Sequence, residues 1–207
     1  MSLPKEDYYH EEALPFHPYR ILLYLLLAGI TALFLATTGA YLFTRVQMHT
    51  PPLPVPMLFV INTLVLIGSS FTLNWANNCY AADETKRYQV ALGATLGLTL
   101  LFMGLQYVGW EQLQPFLHAP STDRNSVNYI YAISILHFIH IVGGLPFMLL
   151  FLATAVLRMR EPVSVLVYFS DPAKLMKLRL LTTYWHYLDI LWIYLVVFFL
   201  LNSLFLR

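Results

Sequence analysis

The sequence predicts an all-α integral membrane bundle of five transmembrane helices, and three observations carry that prediction. Of 207 residues, 58% are hydrophobic and only 11% are charged, against about 25% charged in a soluble domain. The apolar residues fall into five blocks, each long enough for a hydrocarbon core of about 30 Å, or about 20 helical residues. The blocks are continuous rather than alternating, so helices are the form that satisfies the backbone in lipid. The same composition excludes a disordered tail, an ordinary cytosolic enzyme and a nucleic-acid binder, which needs clustered Lys and Arg. Net charge is +1, so no global field steers an acidic partner. Cys79 is the single cysteine, which excludes an internal disulfide framework and a multi-thiolate metal site.

The first expected helix, at about 21–44, follows an acidic and aromatic stretch. Residues 1–19 have no apolar core of the kind a secretory signal carries, so no signal peptide is expected. A Pro-rich link, Thr50-Pro51-Pro52-Leu53-Pro54-Val55-Pro56, is read as a stiff extended connection that continues neither neighbouring helix. The second helix, at about 57–81, carries Asn62, Ser69, Ser70, Thr72 and Asn74, small polar residues suited to close helix packing. The third, at about 88–113, has Gly93 and Gly97 in a GxxxG spacing, weak grounds for a tight crossing. Gln106, Trp110 and Glu111 close it, with Tyr107 and Trp110 placed for an aromatic belt and Glu111 at headgroup level. The fourth and fifth helices, at about 127–157 and 178–206, exceed the bilayer and must tilt or protrude. No internal repeat or long linker divides the chain, so residues 1–207 read as a single transmembrane domain.

Basic residues orient the bundle. With five crossings, the amino terminus and the second and fourth loops share a side that holds nine of the 12 Lys and Arg, Lys5 and Lys86 among them. Arg45, Arg124 and Arg207 are on the other. The positive-inside rule therefore predicts a cytoplasmic amino terminus and a periplasmic carboxyl terminus. The fourth loop, from Arg158 to Lys177, is the longest and most charged. It reads as a solvated loop that also offers a cytoplasmic contact surface.

Polar residues deep in the runs are the candidates for function. His137 and His140 stand one helical turn apart and share a face. His186 and Asp189 repeat that spacing, flanked by Trp185 and Trp192. Asp189 is the only acid deep in any run, and a lone carboxylate there must face protein and find a donor. His186, His137 and His140 are the conceivable donors. The favoured reading is a structural polar clasp of His137, His140, His186 and Asp189 between the last two helices. A proton relay competes with it, although a relay needs more than one acid. Bis-histidine haem ligation by His140 and His186 also competes, as in a b-type haem anchor of a respiratory dehydrogenase. A binuclear metal centre is not expected, since three histidines lie in the runs without a carboxylate pair or thiolate. Cys79 reads as an inert buried thiol. No phosphate-binding glycine loop, dinucleotide fingerprint, nucleophile elbow or HExxH helix is present. The residues alone therefore support a membrane subunit with no reaction centre of its own.

Their order is also familiar. Tyr184-Trp185-His186-Tyr187-Leu188-Asp189-Ile190-Leu191-Trp192 resembles the last-helix signature of subunit III of haem–copper respiratory oxidases, W-H-[FY]-x-D-x-x-W. His137-Phe138-Ile139-His140-Ile141-Val142-Gly143-Gly144 is similar to the family's H-x-x-H-x-x-G-G segment. Asn62-Thr63, Ser69-Ser70-Phe71-Thr72 and Trp75-Ala76 match its N-T … S-S-x-T … W-A helix, and Lys86-Arg87 its short basic loop. The resemblance covers roughly residues 20–207 and points to the short five-helix bacterial type. It implies an accessory, cofactor-free subunit, with no catalytic, cofactor or metal residue, in a bacterial cytoplasmic membrane. Asn62, Ser69, Ser70, Trp75, Gly143, Gly144, Trp185 and Trp192 would then serve packing. The haems and copper would sit in partner chains, the catalytic subunit I and subunit II. Small subunits, membrane phospholipids and a respiratory supercomplex are compatible further partners, and nucleic acid is not. Such a subunit supports stability, lipid binding and sustained proton uptake.

Two departures from the family pattern matter. Where relatives often place a buried glutamate in the helix corresponding to 21–44, this chain has Gly29 or Ile30. Three residues beyond Gln106, where many have a second glutamate, it has Gly109. No role resting on those carboxylates transfers to this chain, and Asp189 is left as the only deep acid.

Overall fold

The computed structural model describes residues 18–48, 55–118, 124–159 and 162–205. Of the residues singled out above, Lys5, residues 50–54 and Arg207 lie outside that set. The described chain is all helical: α1 Pro18–Met48, α2 Met57–Ala81, α3 Thr85–His118, α4 Arg124–Arg158, α5 Pro162–Phe169 and α6 Pro172–Phe205. Five of these, all but the eight-residue α5, are long and apolar enough to cross a membrane.

The helices run longer than their apolar cores. α6 holds 34 residues, about 51 Å at 1.5 Å per residue, so its ends pass the hydrocarbon boundary. The connection between α4 and α6 departs most from the expected solvated loop, for its described part is largely helical. It contains α5, and α6 begins at Pro172, ahead of the expected start at 178. The local cause is an end signal that apolar-run counting passes over. Asp171 Oδ1 accepts the Ala173 amide at 2.9 Å, and Pro172 takes the first helical position, where its missing N–H costs nothing. That amide bond, with the Lys174 ammonium 3.5 Å away, holds the Asp171 carboxyl below the usual carboxylate range.

α2 and α3 form a tight antiparallel hairpin closed at Ala82–Glu84. Asp83 adopts φ 56°, and the Glu84 and Asp83 amides reach back to the Cys79 and Tyr80 carbonyls at 3.0 and 3.3 Å. This paired pattern is a Schellman closure, in which a left-handed residue satisfies the last carbonyls of a helix. α6 is the central strut, packing on α1, α2, α4 and α5, while α1 packs against α4 and α6. The core is aromatic: Phe34, Phe59, Phe102, Trp185 and Trp192 are all at most 2% exposed.

The GxxxG expectation is corrected. A Cβ on Gly93 or Gly97 would meet nothing within 4 Å, so this spacing makes no tight crossing among the described residues. The close approaches use Gly109, whose Cβ would fall 2.7 Å from the Phe59 ring, and Gly144, whose Cβ would fall 2.7 Å from Trp185.

Candidate functional site

The polar residues of α2 and α6 meet along one antiparallel seam. Ser70 donates its hydroxyl to Asp189 Oδ2, and Ser70 Oγ also lies 2.9 Å from His186 Nδ1. His186 Nε2 lies 3.0 Å from Asn74 Oδ1. One turn on, Asn77 Nδ2 donates to Thr182 Oγ1 at 2.8 Å. Numbering rises on α2 as it falls on α6, which is the antiparallel arrangement.

Proton counting explains the order of this chain. Ser70 has one proton and gives it to the carboxylate, so its oxygen accepts from Nδ1–H. The second ring nitrogen is met by the Asn74 side-chain amide, whose oxygen and nitrogen ends can exchange places in such a contact. The carboxylate and the ring each have a partner, as groups at this depth require.

Asp189 was expected to meet a histidine, with α4 as the other half of the clasp. The structure instead interposes Ser70, and the partner helix is α2. His137 lies apart, 0% exposed, in an aromatic cage: its ring is 5.1 Å from Trp192, 6.2 Å from Phe102 and 6.5 Å from Phe34. His140 turns back on its own helix, with Nδ1 2.7 Å from the Leu136 carbonyl. Its carbonyl accepts the Tyr184 hydroxyl at 2.8 Å. Both nitrogens of His186 are engaged with α2, so the ring presents no open coordination position to a haem iron. Among the described residues no group of three or more His, Cys, Asp or Glu is placed to hold a metal ion.

The other motif residues divide. Asn62 Nδ2 donates to the Phe102 carbonyl at 3.2 Å and Gln106 Oε1 at 3.1 Å, tying α2 to α3. Buried Ser69 offers its carbonyl to Thr72, whose hydroxyl meets Thr95 of α3 at 2.8 Å. Gly144 admits Trp185 and Tyr184 against α4, whereas a Cβ on Gly143 would meet nothing within 4 Å. Trp192 packs on Phe59 and Phe102 at 5.5 and 5.2 Å. Trp75 stands apart from these, 42% exposed on the outer face.

A second seam escaped the sequence reading. Thr31 meets the Tyr187 hydroxyl at 2.8 Å, Thr38 meets Tyr194 at 2.9 Å, and Arg45 donates to the Asn202 carbonyl at 2.6 Å. Both partners advance by about two turns per contact, so α1 and α6 run parallel in register. Matching seven-residue spacings, Thr31–Thr38–Arg45 and Tyr187–Tyr194, were the available signal.

With this geometry in place, comparison with known proteins is decisive. The family model described as cytochrome c oxidase subunit III matches residues 29–203. The chain belongs to the cytochrome c oxidase subunit III family. Cytochrome c oxidase subunit 3 of Triticum aestivum is 30% identical over 150 residues, covering 70% of this chain and 49% of that protein. The Danio rerio protein of the same name is 29% identical over 148 residues, with the same coverage of each chain. That of Synechocystis sp. is 26% identical over 180 residues, covering 84% of this chain and 71% of the relative. The chain spans about half the length of the first two relatives. The matched subunit III segment contains the α2–α6 polar seam, the α1–α6 seam and the aromatic cage around His137.

Proposed function

We propose that the chain is an accessory, cofactor-free subunit of a haem–copper terminal oxidase, a cytochrome c oxidase, that supports the oxygen-reducing subunit. The observation that carries this reading is the subunit III family match over residues 29–203. The interior is consistent with a supporting role. Its deep carboxylate, Asp189, and His186 are tied to α2, and the family is known to lack redox cofactors of its own. The haems and copper belong to partner chains, a catalytic subunit I and a subunit II, with membrane phospholipids along the apolar outer faces. The chain sits in a bacterial cytoplasmic membrane with its amino terminus inside. Within it, the polar groups around Asp189 act as a clasp that holds α6 to α2.

Affinity isolation of the tagged chain from mildly solubilised membranes tests the reading. A haem-bearing chain should co-isolate with a stoichiometric Soret band, and the tagged chain should be colourless once separated from it. A Soret band that stays with the separated chain would overturn the proposal in favour of a haem anchor.

A further inference from the structure

The α2–α6 seam has an outer side as well as an inner one. On it α2 shows Leu64, Ile67, Phe71, Asn74 and Asn78, all exposed, at alternating spacings of three and four. That is the spacing with which one helix presents a continuous ridge to another. Thr183, half-buried His186 and exposed Ile190 continue the same face on α6.

This face is ill suited to lipid. Asn74 is exposed seven residues inside the α2 end at Ala81, about 10 Å along the helix. One end of its side-chain amide meets His186, and the other end has no hydrogen-bond partner among the described residues. Towards the Ala81 end the face opens into a cavity of about 390 Å³ lined by Asn77, Asn78, Arg179, Thr182 and Thr183, with no carboxylate in its wall. Among the described residues Arg179 makes no ion pair. A lipid phosphate could answer Arg179 at the membrane surface, but not Asn74 and His186, about 10 Å deeper in hydrocarbon. A second polar helix answers both, because intramembrane polar side chains face protein.

We propose that this face seats a transmembrane helix of the haem-bearing subunit, which offers a hydrogen-bonding side chain at the depth of Asn74 and a carboxylate to Arg179. The inference rests on the chain's being an oxidase subunit and adds which face it uses and what chemistry meets it.

The test places single cysteines at Asn78 or Thr183 in the assembled complex, with Cys79→Ser as background and Leu25→Cys on the lipid side of α1 as control. Each is labelled with a maleimide–benzophenone probe and illuminated. Asn78→Cys and Thr183→Cys should yield a covalent adduct with the haem-bearing chain, and Leu25→Cys should not. Adducts only to lipid, or to a second copy of this chain, while the haem-bearing chain still co-isolates, would overturn the docking face and leave the subunit assignment intact. Absence of any haem-bearing chain from the unsubstituted complex would instead overturn both.

Discussion

Ser70 is the residue on which the polar interior turns, because one hydroxyl serves both Asp189 and His186. Its loss leaves a deep carboxylate and an imidazole without their shared partner. Ser70→Ala is expected to cost about 1–3 kcal/mol, the penalty for stranding buried polar groups. Asp189→Asn keeps an accepting oxygen opposite Ser70 and should lose less, about 0.6 kcal/mol as for average intramembrane hydrogen bonds. Thermal dissociation of the chain from the purified complex checks the order. Both variants should weaken retention, Ser70→Ala more, with the haem spectrum unchanged. Loss of proton pumping by Asp189→Asn in a fully assembled complex would show that the carboxylate does more than clasp. Asp189 was legible in the sequence because an acid in an apolar run stands out. Its partner was not, since helical spacing reports which residues share a face and never which neighbour that face meets.

Packing between elements depends on where side chains are missing as much as on where they are present. Gly143 and Gly144 are adjacent on α4, yet their sites are opposite in kind. At Gly144 an added methyl collides with Trp185 and Tyr184, while at Gly143 it enters open space. Gly144→Ala should destabilise the α4–α6 contact by about 1–3 kcal/mol through overpacking. Gly143→Ala should be neutral or gain up to about 1 kcal/mol of helix propensity. Unfolding followed by Trp fluorescence in detergent separates the two, and equal effects would contradict the packing described. Gly109 is a further case: Phe59 of α2 fills the space beside it, and an added methyl collides with that ring. The GxxxG spacing misled for the same reason, because small residues permit a close approach without requiring one. The start of α6 was misjudged because its signal, Asp171 with Pro172, is polar and precedes the apolar run.

At the scale of the whole molecule, two seams on α6 organise the bundle, one antiparallel to α2 and one parallel to α1. The proposed orientation, which rests on five crossings and nine basic residues on one side, puts the α2–α3 turn at the cytoplasm. A cysteine at Glu84, within that turn, should react with a membrane-impermeant maleimide in inverted vesicles and not in right-side-out ones. The reverse pattern would invert the proposed topology.

Five membrane-spanning runs and the family likeness needed no coordinates, because both are carried by local patterns: uninterrupted apolar length and short ordered strings. Pairings across the bundle needed the fold. Ser70 and Asp189 are separated by 119 positions, and Thr31 and Tyr187 by 156. No local pattern connects such residues. The rotation of each helix about its axis brings them together, and the contacts of Phe59 and Phe102 with Trp192 belong to the same arrangement.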